Sequence, residues 1–286
     1  MTKLAIGTAQ LGSSYGVLNN SIIKKNDFKK IEKIIKKNKI KYIDTALDYG
    51  ISQERLSRSK LKKLNIISKI KFNNSVKFFF FHQYLNEVFN KNLKILKLKK
   101  IYCLMIHDTK VLFSNKSQIV INYLNQLKKK KLISKIGVSV YSPTELRNVM
   151  KILNVDIIQI PVNVMDQRFL KNNLLKKLKK KNILIFARSI FLQGLLLQRQ
   201  IPKKFFKYKT EFNKFFLWCK QFEVSKVSAC INFVKNIKEI DYLIVGFNNS
   251  NQLLQIVEGY KKRIKVPRIF FSKKNKLIDP REWKYN

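Results

Sequence analysis

The chain has 286 residues, and its 60 lysines and arginines against 17 aspartates and glutamates give a formal charge of +43. With 45% hydrophobic and 12% aromatic residues it can bury a large core, which excludes global disorder. No window approaches the roughly 18 unbroken apolar residues of a membrane span, and three cysteines without CxxC spacing exclude a disulfide framework or a four-cysteine zinc site.

The amino terminus runs straight into an apolar segment, residues 4–8, that reads as a strand. No secretory pattern precedes it, so a cytoplasmic protein with reduced thiols is expected. A helix follows at 27–37, with Phe28, Ile31, Ile34 and Ile35 on one side and Asn26 as its N-cap. Strand 42–46, helix 52–63 and strand 65–70 come next. The helix at 76–98 opens on Phe78–Phe81, read as a start wedged between barrel and surface. Then come strand 101–107, helix 117–130 and strand 135–140. The next helix, 143–153, has Ser142 as its cap and Pro143 in its first turn, where proline is tolerated. Strand 156–162, helix 170–181 and strand 183–189 continue the alternation. The long connection 191–209 is of a length that is often functional. Its Phe191, Leu192, Phe205, Phe206 and Tyr208 serve equally as cleft lining or packing. One long helix or two fill 210–235, ahead of strand 242–246 and helix 251–262. Residues 265–286 form a carboxy-terminal extension that crosses the barrel mouth or lies on its side.

Eight short apolar strands separated by helix-length crossovers imply parallel pairing. An open doubly wound sheet with a dinucleotide site usually carries GxGxxG after its first strand. Here that place holds Ala-Gln-Leu-Gly-Ser-Ser-Tyr-Gly, which does not fit. The expected fold is therefore a (β/α)8 TIM barrel, one domain over 1–286, with outer helices around an eight-stranded parallel barrel.

In such barrels chemistry collects at the carboxyl ends of the strands. Asp44 ends the second strand, with Tyr49 and Gly50 five residues on; Lys69 ends the third and His107 the fourth. An ammonium within an apolar strand needs a partner, and Asp44 is the natural one. A carbonyl that accepts hydride develops negative charge on oxygen and needs a proton donor there. Tyr49 suits that role, with its pKa lowered by the neighbouring Lys69 ammonium and His107 orienting the carbonyl oxygen. Each residue taken singly has a plainer explanation: a turn cap, loop packing, one lysine among many (Lys71 shares the strand parity), or one of two histidines.

The segments Gly7-Thr8-Ala9-Gln10-Leu11-Gly12, Ile43-Asp44-Thr45-Ala46-Leu47-Asp48-Tyr49-Gly50, Ile67-Ser68-Lys69, Met105-Ile106-His107 and Ile136-Gly137-Val138-Ser139 together resemble the aldo/keto reductases. Ile158-Gln159-Ile160-Pro161-Val162-Asn163, Arg188-Ser189, Leu192-Gln193-Gly194-Leu195-Leu196 and Leu243-Ile244-Val245-Gly246 extend the resemblance along nearly the whole chain. It implies hydride transfer from a nicotinamide cofactor to a small carbonyl compound, sugar-derived substrates included, without a metal. Tyr49 would be the proton donor, Asp44 and Lys69 its tuning pair, and His107 the orienting group. Cofactor contacts would come from Thr8, Asp44, Ser139, Gln159, Arg188, Ser189, Gly246, Ser250 and Gln252, with Ser139 and Gln159 on the nicotinamide carboxamide. Arg188 stands where many relatives have an aromatic that stacks on the nicotinamide; its guanidinium would lie flat there instead. Val140 replaces a common asparagine. The family commonly grips the adenosine 2′-phosphate with basic groups after the last strand, yet residues 246–252 contain no lysine or arginine. NADP(H) is favoured by family habit, with NAD(H) as its competitor.

Two other classes compete with the enzyme. One is a catalytically silent barrel acting as a cofactor-binding or regulatory subunit, against which the complete set of four polar groups argues. The other is a nucleic-acid binder driven by charge. The lysines are spread along the whole chain and accompany abundant Asn, Ile and Phe, as AT-rich coding produces, and no dedicated nucleic-acid reader is present. No specific nucleic-acid or membrane partner is expected, and the oligomeric state is left open.

Overall fold

A computed structural model describes residues 2–13, 16 and 22–283. In chain order the elements are β1 (Lys3–Gly7), α1 (Ala9–Gly12), α2 (Lys25–Lys37), β2 (Tyr42–Ala46), α3 (Ser52–Ser57), β3 (Asn65–Ile70), α4 (Phe81–Leu96), β4 (Ile101–Ile106), α5 (Ser117–Lys129) and β5 (Ile133–Ser139). They continue as α6 (Pro143–Ile152), β6 (Ile157–Pro161), α7 (Leu174–Lys180), β7 (Leu184–Arg188), α8 (Lys209–Gln221), α9 (Lys226–Lys235), β8 (Tyr242–Val245), α10 (Ser250–Lys261) and α11 (Asn275–Ile278). The eight strands pair in sequence order, all parallel, and β8 closes on β1. This is the (β/α)8 barrel expected from the alternation.

The barrel interior is a layer of apolar side chains from alternate strand positions: Ala5, Tyr42, Ile67, Cys103, Met105, Ile157, Phe186 and Ile244. Its floor is aromatic, with Phe186 stacked on Tyr242 at 4.5 Å and Tyr42 tilted against Tyr242 at 4.3 Å. Gly137 contributes no side chain to this layer. A Cβ there would lie 2.7 Å from Met105 Cε and 2.9 Å from Cys103 Sγ, so the glycine makes room for the sulfurs. A larger apolar shell, including Ile6, Ile43, Ile66, Leu104, Ile136 and Ile158, packs the outer strand faces against the helices. Strand side chains alternate between faces. Two residues beyond each inner apolar residue therefore lies another inward position, nearer the carboxyl end. Those positions are Gly7, Asp44, Lys69, His107, Ser139, Gln159, Arg188 and Gly246.

Several predicted elements are corrected. α2 begins at Lys25 after a Lys24 cap position with no side-chain cap bond, so Asn26 lies inside the first turn and caps nothing. The 52–63 helix breaks after Ser57, where Ser59 turns extended and its hydroxyl accepts the Leu61 N–H at 3.0 Å. α4 starts only at Phe81, which is buried. Phe78, Phe79 and Phe80 form a preceding 3-10 turn and face solvent, Phe79 at 91% exposure, so they are not wedged. The 170–181 helix starts at Leu174 because Asn172 and Asn173 both take left-handed backbone, which asparagine tolerates. Residues 210–235 divide into α8 and α9, with Glu223 left-handed between them. The Ser142 cap holds: its hydroxyl accepts the Glu145 N–H at 3.1 Å. The extension after α10 packs Phe270 on Phe215 and Trp218, and Trp283 on Phe205. It reaches the mouth where Arg281 covers the Tyr141 ring at 3.9 Å. No helix among the described residues is long and apolar enough to cross a membrane.

Candidate active site

A cavity of about 360 Å3 opens at the carboxyl ends of the strands. Every catalytic or cofactor-binding residue expected from the sequence lines it except Ser250. Strand register explains the convergence. Ala46 pairs with Lys69 across β2 and β3, Lys69 with Met105 across β3 and β4, and Ser139 with Gln159 across β5 and β6. Inward parity then aims the side chains at one centre.

Asp44 and Lys69 form the floor. Both are buried, and Lys69 Nζ lies 2.5 Å from Asp44 Oδ2. Gln159 Nε2 donates to the other carboxylate oxygen, Oδ1. A charged pair this deep is tolerable only because each charge is matched and the spare oxygen is hydrogen-bonded. Lys71 is exposed, which separates it from Lys69. Ser68, of opposite parity, points outward and bonds Gln53 and Asn92 beneath α3 and α4.

Tyr49 sits on the loop after β2, with Lys69 Nζ 5.1 Å from its ring centroid and the His107 ring edge-on at 6.1 Å. Two glycines seat that loop. A Cβ on Gly12 would fall 2.0 Å from the Tyr49 carbonyl oxygen, and one on Gly50, whose φ is +52°, would fall 2.2 Å from the Gly12 oxygen. Thr8 ties the same corner: its hydroxyl donates to the Asp44 carbonyl at 3.1 Å, and the Ser52 hydroxyl donates to the Thr8 carbonyl at 2.8 Å.

The expected lowering of the Tyr49 pKa is overturned. Desolvation first, then the Asp44 and Asp48 carboxylates, push it well above the ordinary tyrosine value, with Arg188 pulling the other way. The Lys69 charge is spent on Asp44, so it does not draw out the phenolate. His107 Nδ1 lies 3.4 Å from Asp48 Oδ2, close enough for ion pairing but without hydrogen-bond alignment. Burial works against the Asp48 carboxylate, yet His107 beside it holds its pKa below the usual value.

On the opposite wall Arg188 donates through Nη2 to the Val140 carbonyl at 3.1 Å and through Nη1 to Ser189 Oγ at 3.3 Å. Its guanidinium lies 4.1 Å from the Tyr141 ring centroid. Tyr141, which the sequence did not flag, is therefore packed by two arginines, Arg188 and Arg281. Its only sequence signal is position, two residues past Ser139. The Val140 side chain is buried in the core and only its carbonyl serves the site. From the long connection after β7, Phe191, Gln193, Gly194, Leu197 and Gln198 line the cavity. Leu192, Phe205 and Tyr208 are core residues and Phe206 is exposed, so of the five apolar candidates only Phe191 faces the cleft.

Beyond β8 the cavity is bounded by Gly246, Phe247, Asn248 and Gln252. Gln252 Oε1 accepts the Asn248 N–H at 2.8 Å, and Gln10 packs over Gly246, where a Cβ would meet its amide at 2.8 Å. Ser250 is turned away: its N–H and hydroxyl both go to the Asp27 carboxylate of α2, at 2.7 and 2.5 Å.

Residues 3–266 match the aldo/keto reductase family. No curated protein matches the sequence. Among solved structures, an aldo-keto reductase from Bacillus halodurans in its holo form aligns with a TM-score of 0.73 at 16% identity, over 92% of this chain and 88% of that one. A glycerol dehydrogenase from Gluconobacter oxydans aligns with a TM-score of 0.68 at 19% identity, over 92% of this chain and 87% of that one. At such identities the structural likeness speaks for the fold.

Proposed function

The chain belongs to the aldo/keto reductase family, whose members are NAD(P)H-dependent oxidoreductases of small carbonyl compounds, and on that premise we propose that Tyr49 protonates an aldehyde or ketone as it is reduced to an alcohol in this cavity. The observation that carries the proposal is a phenol kept protonated at the wall of a cavity whose floor is a closed Asp44–Lys69 pair.

The residues suit a nicotinamide carboxamide. Gln159 Oε1 is buried without a hydrogen-bond partner, an acceptor that an amide N–H would satisfy, and Ser139 stands beside it at the cavity wall. When bound, the reduced cofactor supplies the hydride to the carbonyl carbon. Tyr49 gives its phenolic proton to the carbonyl oxygen as negative charge develops there. The phenolate left behind is favoured by the Arg188 charge and regains a proton from water entering the cavity mouth. His107 donates a hydrogen bond to the same carbonyl oxygen and fixes its direction. Arg188, whose guanidinium carbon lies 4.1 Å from the Tyr141 ring centroid, would border the nicotinamide. A small substrate, sugar-derived compounds included, would lie under the polar side chains of Gln193 and Gln198.

Tyr49→Phe tests the donor. Carbonyl reduction is expected to fall by about 10²–10⁴-fold, the usual contribution of a positioned general acid. Dinucleotide binding, followed by fluorescence quenching, should persist. Unchanged turnover would refute the assignment, and cofactor binding without turnover of any aldehyde by the wild type would favour the silent barrel.

A further inference from the structure

Phe78, Phe79 and Phe80 are 47%, 91% and 60% exposed, in consecutive positions of the turn that carries the chain from β3 into α4. That connection leaves the carboxyl end of β3, so the three rings stand on the cavity side of the barrel, yet none of them lines the cavity. Phe113, 54% exposed, lies in the next connection, between β4 and α5. The two connections are tied together: Lys116 Nζ donates to the Asn74 carbonyl and sits 5.1 Å from the centroid of the buried Phe81 ring. Further bonds fix the turn itself. The Tyr84 hydroxyl accepts the Asn73 N–H at 2.8 Å, and Asn73 Oδ1 accepts the Ser75 N–H at 3.0 Å. An anchored backbone thus holds the rings outward. Contiguous exposed apolar surface is uncommon on a soluble monomer and marks a contact site.

The charges around the rings are of one sign. Residues 71–86 contain Lys71 and Lys77 and no acid, and residues 109–123 contain Lys110 and Lys116 and no acid. Lys71, Lys77 and Lys110 are exposed. The flanking acids are engaged: Asp108 accepts the Lys110 N–H at 3.1 Å, and Glu87 accepts from Gln83 at 2.9 Å. A second copy would bring the same lysines and the same +43 against this face, and is repelled. Single-stranded nucleic acid asks for rings laid out as a platform for successive bases, but Phe78 and Phe79 stand edge-on at 88°. A bilayer needs no preformed pocket: its headgroup region parts around a protruding apolar turn while anionic headgroups meet the lysines. We propose that this rim is a peripheral docking site for an anionic lipid bilayer, with Phe78, Phe79 and Phe80 inserted among the headgroups and Lys71, Lys77 and Lys110 held against them. This departs from the sequence expectation of no membrane partner, in which four successive phenylalanines read as one wedged helix start; the fold sends only Phe81 inward. The docking does not depend on the carbonyl-reductase function.

The test is co-sedimentation of the full chain with phosphatidylcholine vesicles carrying about 30% phosphatidylserine, in about 150 mM salt. Charge by itself draws a +43 chain to such vesicles, so the rings are read separately. Combining Phe78→Ser, Phe79→Ser and Phe80→Ser should lower the partition coefficient by about tenfold or more, as the loss of buried aromatic area dictates. Phe222→Ser, which removes a ring of 55% exposure at the far end of α8, should leave it unchanged. In Phe79→Trp the added indole should shift its emission to the blue on vesicles and be quenched by bromine-labelled lipid. Trp218 and Trp283, packed on Phe270 and Phe205, supply the background signal of the wild type. Equal partitioning of the wild type and the triple serine variant would overturn the proposal and assign the binding to charge alone. An unshifted, unquenched Phe79→Trp on bound vesicles would overturn it too, as would an equal loss in Phe222→Ser or a wild type that stays in solution. A dimer in light scattering that the triple serine variant splits would overturn it in favour of a second copy. Should the triple variant fail to fold, Phe79→Trp decides by itself.

Discussion

Tyr49 keeps its proton because of its surroundings, and the direction of that effect makes a testable statement about pH. Desolvation and the Asp44 carboxylate disfavour the phenolate, so the phenol stays neutral past the unperturbed tyrosine value of about 10. As general acid it must be protonated, so its loss appears only as pH rises through the raised pKa. The kcat/KM profile, which reports the free enzyme, is expected to show no alkaline limb from Tyr49 between pH 7 and 10. A limb in that window that disappears in Tyr49→Phe would mean that Lys69 does draw the proton off. The same residues show what a sequence conceals. That Asp44 and Lys69 pair follows from the cost of burying either alone, but that Gln159 closes the other carboxylate oxygen, 115 residues further on, does not.

At the scale of elements, the loop after β2 is held by contact between two backbones. Gly12 closes α1 and leaves the space that the Tyr49 carbonyl occupies, while Gly50, next to Tyr49, leaves the space of the Gly12 carbonyl. Gly12→Ala would drive a methyl into the Tyr49 and Ser52 backbone, which cannot swing aside as a side chain can. The expected result is a displaced Tyr49 loop, with turnover down about 10²-fold, as misplacement of a reacting group by about 1 Å can cost. A stability loss of about 1–3 kcal/mol should accompany it in denaturant titration. Wild-type turnover in this variant would show that the loop is seated by something else. Helix edges were the least legible part for a related reason. Ser59, Asn172 and Asn173 look like ordinary surface polar residues until their local bonds and left-handed backbone end or delay a helix.

For the molecule as a whole, +43 on 286 residues is a field that attracts polyanions whatever the cavity does. Retention on DNA or heparin at low salt is expected, with affinity falling steeply and by about 10³-fold or more between 50 and 200 mM salt, as counterion release dictates. Filter binding across that range checks it. Affinity that survives at 200 mM with a sequence preference would indicate a nucleic-acid role beside the carbonyl chemistry.

The barrel itself was written in the sequence. Eight short, nearly continuous apolar runs are separated by helical stretches too long for hairpins, so parallel pairing follows from local chemistry. Asp44, Lys69, His107, Ser139 and Gln159 share the inward parity of the layer beneath them, which is also a local property. Three things were decided only by tertiary structure: Tyr141 gathered between Arg188 and Arg281, the solvent-facing phenylalanines ahead of α4, and Asp27 seated on Ser250 223 residues away. Each depends on which surfaces meet once the chain has closed, and that distance in space leaves no trace in the spacing of residues along the chain.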